Sequence, residues 1–590
     1  MRTDPSSFGD PSGERLRRRT RRLRVGAAIA LVVLSWLLMA GIQAWRIGAD
    51  ALAGTRVAHT ARQSVAGAQD VLEGRPDQAL AQAQRHFTDA SERARSWVLA
   101  PLRVVPLVGR QLRAVEAVTV GAGTIADVGA DGLADVRAVL EAPHRSGPER
   151  VALLRRLADV AEYARARLDQ VDPGPDGALL PPVASARDDL VEELADLRAS
   201  LEDGRALASV LGDLLEGPGR YLVLGVNNAE MRAGAGMPSS IGELETADGH
   251  MRLQEMRPVA HVPVPGTAVP VPGDLATRWG WLSPTRDWGN LLASPRFEVS
   301  ASLAAEMWEA AGNRPVDGVL LLDPLALQVI LAATGPVEVD GRTMASDNVV
   351  DELLVQQYRR VPDERPEAHQ DELGVVAPAA IAALDRGEWS TAQLADGLNG
   401  AVRGRHLMVW SATPHQQDAW HATEADGSLQ PDSLMVSVLN HGGNKLDPYL
   451  RVQADLELRP EEGHGSGVLR LTLRNQAPEG APGLVGGLQP GSEGNEGDYV
   501  GILAVNLPGA STVGAIEPAP ELPPGPDGPT QVVVARVVVA RSEEQTVVFR
   551  FTLPADQRSL RVEPSARVPS VAWSFGGATW TDERARMVAW

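Results

Sequence analysis

The chain has 590 residues, more than a single core accommodates, so ordinary domain sizes divide it into about three or four folded units. It contains no cysteine, which excludes disulfides, thiol nucleophiles and Cys-ligated zinc or iron–sulfur sites. Of the net charge of −20, residues 1–24 contribute +5, eight Arg against Asp4, Asp10 and Glu14; the remaining −25 is an acidic body unsuited to neutralising the phosphates of nucleic acid.

In residues 1–24, arginines crowd from Arg15 to Arg24 immediately before an apolar run. That run, 25–45, holds 21 residues without a formal charge, the length of a transmembrane helix. The positive-inside bias then puts the Arg-rich segment in the cytoplasm and the bulk of the chain outside, as a single-pass protein of the plasma membrane. A cleaved signal peptide is the competing reading, with Ala51-Leu52-Ala53 as a small-x-small site, but its apolar stretch is ordinarily shorter.

From 46 to 216, apolar residues recur every third or fourth position, as in Val151, Leu154, Leu157 and Val160, which predicts amphipathic helices. Breaks at Gly74-Arg75-Pro76, Ala100-Pro101, Pro106, Pro143 and the Asp172–Pro182 loop divide them. A helical stalk, an oligomerisation element or a plain spacer all fit.

The block 217–427 alternates strand and helix patterns and predicts an α/β domain. It opens on the chemically richest stretch, Arg220 to Gly242: an apolar strand, then Asn227, Asn228, Glu230 and Arg232, then Gly234 and Gly236. Polar side chains and permissive backbone at a strand end suit an anion site. They equally suit a turn capped by the asparagines, with Arg232 paired to Glu230. No nucleotide-binding glycine spacing is present. A second strand pair turns at Asp248-Gly249, and the Val-Pro loop after Val262 lacks the donors for regular sheet. Further on, Val319 to Leu322 reads as a buried strand, Asp323 as an N-cap, Pro324 as a first helical residue and Gly335 as the stop. Val337 to Val339 is a further strand turning at Asp340-Gly341, making a βαβ-type or hairpin-like unit.

The block 428–590 reads as β. Leu469, Leu471 and Leu473 alternate with Arg470, Thr472 and Arg474, and Val547, Phe549, Phe551 and Leu553 alternate likewise, predicting a sandwich-like domain. The fold class expected is thus multi-domain α+β. His415 and His421 have no metal-ligand motif around them, and Ser239 and Ser240 lie in no nucleophile elbow.

The run NNAEMRAGAGMPSS resembles the central motif of a bacterial envelope family, of actinobacterial type, catalogued as domain of unknown function 4012. Asn227, Asn228, Ala229, Glu230, Arg232, Gly236 and Ser240 stand at its fixed letters, while Ala235 and Ser239 replace glycines. The stretch DGVLLLDPLAL with its later TGPV is similar to a second motif, and SVLNHGGNKLDPYL, Ser437 to Leu450, to a weaker third. The buried strand, Asp and helix are distantly similar to the LytR-CpsA-Psr family, membrane-anchored transferases of polyprenyl-pyrophosphate-linked glycopolymers. That similarity implies a pyrophosphate clamp built on Arg232, with Asp287, Arg359 and Arg360 as further candidates and Mg²⁺ as the metal. No catalytic residue follows from it. Partners would be the membrane and a lipid-linked glycopolymer or cell-wall polysaccharide. The alternative is a non-catalytic envelope scaffold or polysaccharide-binding protein in which Asn227, Asn228 and Arg232 lock a turn.

Overall fold

The computed structural model describes residues 11–265, 269–360, 371–520 and 522–590, with side chains from Ser35 onward, Leu37 excepted. It is a multi-domain α+β structure, helical toward the N-terminus and sheet-rich toward the C-terminus, and divides into two compact units, 1–138 with 160–202, and 139–159 with 203–590.

The N-terminal helices are α1 (Pro11–Gln63), α2 (Ala68–Leu72), α3 (Asp77–Ala94), α4 (Pro106–Leu140), α5 (Gly147–Leu168) and α6 (Pro181–Glu216). Their boundaries fall at the Gly and Pro breaks, because proline removes a donor and clashes with the preceding turn. In the first unit α3 buries Ala83, Phe87, Ala90 and Ala94, one face at spacings of four, three and four, and runs back along α1. Its Phe87 ring lies against Gly54, and Arg93 pairs with Asp50. No helix among the described residues is long and apolar enough to cross a membrane; of the run 25–45, residues 25–34 and 37 lie outside the described side chains.

The second unit starts from a mixed sheet. Its strands are β1 (Gly219–Met231), β2 (Gly236–Ala247), β3 (His250–Leu253), β4 (Arg257–Pro258), β5 (Gly318–Leu322) and, beyond the small hairpin of β6 (Val337–Val339) and β7 (Arg342–Met344), β8 (Leu407–Ser411). The order is β3-β2-β1-β5-β8, with β4 on β2; β1 runs parallel to β5 and antiparallel to β2. The turn between β2 and β3 has Asp248 and Gly249 at positive φ, as a two-residue hairpin with the strands' twist requires. Helices α7 (Gly273–Trp279), α8 (Phe297–Ala310) and α9 (Pro324–Thr334) follow from the connections. Asp323 Oδ1 accepts from the N–H groups of Leu325 and Ala326, the N-cap read from the sequence. The strand after α9, β6, pairs with β7 alone and not with β5, which makes this a hairpin and not a βαβ crossover.

Two six-stranded sheets complete the unit: β13-β16-β11-β10-β18-β19 and β14-β15-β12-β9-β17-β20. Their strands are β9 (Ser433–Asn440), β10 (Leu450–Glu461), β11 (His464–Asn475), β12 (Tyr499–Pro508), β13 (Thr512–Glu517), β14 (Leu522–Asp527), β15 (Thr530–Val539), β16 (Glu544–Pro554), β17 (Ser559–Glu563), β18 (Ala572–Phe575), β19 (Ala578–Thr581) and β20 (Arg586–Ala589). Leu469, Leu471, Leu473, Val547 and Phe549 of one sheet share a core with Leu503, Val505, Val533 and Ala535 of the other. The intervening residues Ile502, Ala504, Val532 and Val534 turn to a second core with Leu222, Val226 and the buried face of α8. A sheet covered on both faces has no wet face, so β9 and β12 are buried at every residue.

Glu298 opens α8 with one carboxylate oxygen buried and unpartnered. Burial pushes its carboxyl up to about 7, with Arg296 pulling the other way and Asp426 adding to the rise. Between the ordinary value of 4.5 and about 7 the folded chain holds a proton that the unfolded chain has released, so this group's contribution to stability falls as pH rises through that window. Glu298→Gln is therefore expected to match the wild type near pH 4.5 and to exceed it by up to about 3 kcal/mol at pH 8. Chemical denaturation at the two pH values measures this.

Candidate functional site

The residues singled out by the sequence sit on β1 and the tight turn into β2. Asn227, Asn228 and Glu230 are not at a turn. β1 continues through them to Met231, and its pairing with β2 is irregular over this stretch. A strand side chain points to alternate faces, so consecutive polar residues here reach different neighbours. Asn227 donates to the Tyr358 hydroxyl at 2.5 Å. Asn228 donates to Asp323 Oδ2 at 2.9 Å and to the Ala566 carbonyl at 2.7 Å. His406 Nδ1 lies 2.6 Å from the same Asp323 oxygen. Burial acts against charge on His406, but Asp323 outweighs it and raises the imidazole above its ordinary value.

Arg232 is 8% exposed. Its Nη1 donates to the carbonyls of Met231 and Asn440, at 3.1 and 3.2 Å, its Nη2 to Glu230 Oε1 at 3.0 Å, and its Nε to Asn290 Oδ1 at 3.3 Å. The other Glu230 oxygen pairs with Lys445, whose ammonium also lies over the Tyr358 ring. Burial works against the Glu230 charge, yet Lys445 and then Arg232 overcome it and hold the carboxyl below its ordinary range.

Asp447 closes the cluster. It is fully buried and accepts from Met231 N at 3.0 Å, Asn440 Nδ2 at 3.0 Å, Tyr499 Oη at 3.0 Å and Arg567 Nη1 at 2.6 Å. The third sequence segment, Ser437 to Leu450, thus interlocks with the first: Asn440, Lys445 and Asp447 all meet the β1 end. The second segment joins through Asp323.

The glycines are consumed in the same way. A side chain at Gly236 would collide with the backbone of Asn227 and Asn228, and one at Gly234 would come within 2.8 Å of the Ser294 carbonyl. The room that could admit an anion is filled by the protein's own backbone. Asp287 is exposed and accepts from Gly289 N at 2.9 Å; it is one residue removed from Arg232, through Asn290. Arg359 donates to the Tyr449 hydroxyl at 3.3 Å, and Arg360 pairs with Glu352 and Glu372 at 2.6 and 2.9 Å. The structure therefore gathers Asn227, Asn228, Arg232, Gly234 and Gly236, with Asp287 at the edge, and gives Arg359 and Arg360 other partners. No group of three or more His, Asp or Glu suited to a metal ion occurs among the described residues.

His406 and Arg567 escaped sequence reading because their partners are distant in the chain; Asp447 lay in the third motif, which showed its place but not its partners. Lys445 carried a signal: it is the sole lysine in an otherwise arginine-only set of basic residues. A flexible stem with a compact ammonium fits between Glu230 and Tyr358.

The model of a family described as protein of unknown function (DUF4012) matches residues 216–358. That range holds the NNAEMR motif and Asp323; Asn440 to Asp447 lies beyond it. No curated protein and no solved structure matches the chain.

Proposed function

We propose that this chain is a non-catalytic scaffold of the cell envelope, anchored in the plasma membrane by residues 25–45 with its bulk extracytoplasmic. The observation that supports the scaffold reading is the commitment of every Arg232 nitrogen to an internal partner. A phosphate clamp needs its guanidinium fork turned to the ligand. Here the fork is spent on Glu230 and two carbonyls, and the motif joins a mixed sheet to β9 and the Asp447 turn. The anchor rests on the uncharged run after the arginines, and the family match brings no activity with it.

Arg232→Ala is expected to lower stability by about 2–3 kcal/mol, since it removes charge-assisted hydrogen bonds and leaves buried acceptors unpaired. Denaturant titration of the purified chain measures the loss, alongside titration with a soluble polyprenyl-pyrophosphate analogue. Unchanged stability with loss of analogue binding would overturn the scaffold reading in favour of a glycopolymer transferase.

A further inference from the structure

We infer that the tip of the α3–α4 hairpin, residues 95–110, inserts into the lipid bilayer beside α1, in the leaflet on the side of the chain's folded bulk. The inference rests on the proposed anchor and adds a second membrane contact to it.

The depth follows from a ladder of contacts along α1. Descending α3, Phe87 lies against Gly54, Arg93 pairs with Asp50, and beyond the helix end Trp36 Nε1 donates to the Val98 carbonyl at 2.9 Å. Val98 and Leu99 share a small core with Ala40 and Ile47. The hairpin tip therefore reaches Trp36, inside the run 25–45. At about 1.5 Å per residue, roughly 14 Å of helix separate Trp36 from Trp45 at the end of that run, close to half the thickness of a hydrocarbon core of about 30 Å. If α1 spans, the tip cannot remain in water.

Its surface suits that position. Trp97, Val104 and Leu107 are 76, 83 and 69% exposed, and Leu38, Ile42 and Trp45 of α1 are exposed likewise. Such a concentration of large apolar side chains in water calls for a partner. The charge pattern selects lipid. Residues 93–113 carry Arg93, Arg95, Arg103, Arg110 and Arg113 and no acidic residue, within a chain whose residues beyond 24 sum to −25. Arg93 pairs with Asp50, and Arg95 and Arg103 share Glu116, while Arg110 donates to the Gly177 carbonyl and not to a carboxylate. Apolar side chains at a tip bordered by Arg93 on one side and Arg110 and Arg113 on the other suit insertion, with those outer cations near anionic headgroups and Arg95 and Arg103 neutralised by Glu116.

The absence of cysteine makes the test direct. Single variants Trp97→Cys, Leu107→Cys, Leu38→Cys and Met587→Cys of the full chain would carry an environment-sensitive fluorophore. They would be reconstituted into vesicles of phosphatidylcholine with a minority of phosphatidylglycerol. The expected result is blue-shifted emission at 97 and 107, quenched by nitroxide-bearing lipid as strongly as at 38, with the label at 587 quenched only by aqueous iodide. Labels at 97 and 107 open to iodide while 38 is quenched by lipid would overturn the insertion and leave the anchor standing. A label at 38 open to iodide would overturn the anchor and the insertion with it. Blue-shifted labels at 97 and 107 without lipid quenching would mean that protein covers the tip, also against the inference.

Discussion

Asp447→Ala is expected to destabilise the chain by about 3–5 kcal/mol, the cost of breaking a buried ion pair by removing one partner. Arg567 is almost fully buried and its Nη1 donates to Asp447. Without the carboxylate its charge would stay in the core with the carbonyls of Asp447 and Leu450 and the more remote carboxylate of Asp582. The donors on Met231 and Tyr499 would lose the acceptor they have here, and Asn440 would keep only Asn444. Asp447→Asn should recover part of the loss, since the amide keeps one acceptor of similar shape but no charge. The double variant Asp447→Leu with Arg567→Met should be milder than Asp447→Ala, because the stranded guanidinium is gone. Urea titration of the four chains under one buffer measures the series, and an Asp447→Ala loss below about 1 kcal/mol would contradict the packing described.

Glu230→Ala is expected to cost a similar amount, about 3–5 kcal/mol at neutral pH, because it strands two cations, Arg232 and Lys445. The pH dependence has a definite sign. The folded carboxyl is held below its ordinary value of 4.5, so its stabilisation is present above that value and is lost as pH falls through the lower folded value. The gap between wild type and Glu230→Ala should accordingly narrow on acidification and stay constant between pH 6 and 8. Thermal unfolding of both chains from neutral to acid pH tests it, and a gap that widens toward acid would contradict the assignment.

Local patterns carried the parts of the fold that local physics determines. Asp323 before Pro324 announced a capped helix, Asp248-Gly249 a hairpin, and the alternation from Leu469 to Leu473 a strand with one buried face. The polar run at the end of β1 was legible only in part: Asn227 Oδ1 accepts from Ala229 N, the local bond of a turn-forming asparagine, but within a continuing strand and not a turn. In the structure each asparagine is matched across a long separation, Asn227 to Tyr358 and Asn228 to both Asp323 and Ala566. Nothing in the spacing of Asn227 and Asn228 points to residues so far along the chain. Their resemblance to a family motif flagged the position without its role. The pairing of Glu230 with Arg232 was open to local reading, and the structure has it. Its extension to Lys445 was not.

The bond from Asn228 to Ala566 crosses 338 residues, and β17 lies parallel to β9 at Arg561 to Glu563. During synthesis the β1 end must therefore wait for 338 further residues before its last acceptor exists. A chain cut short of residue 566 would leave Asn228 short of a partner and Asp447 without its guanidinium. Pairing at such range is slow, and early strands with open edges are prone to associate with one another in the interval. The second unit thus reaches its native form only once Ala566 and Arg567 have been made, and it depends meanwhile on whatever keeps unfinished sheets apart.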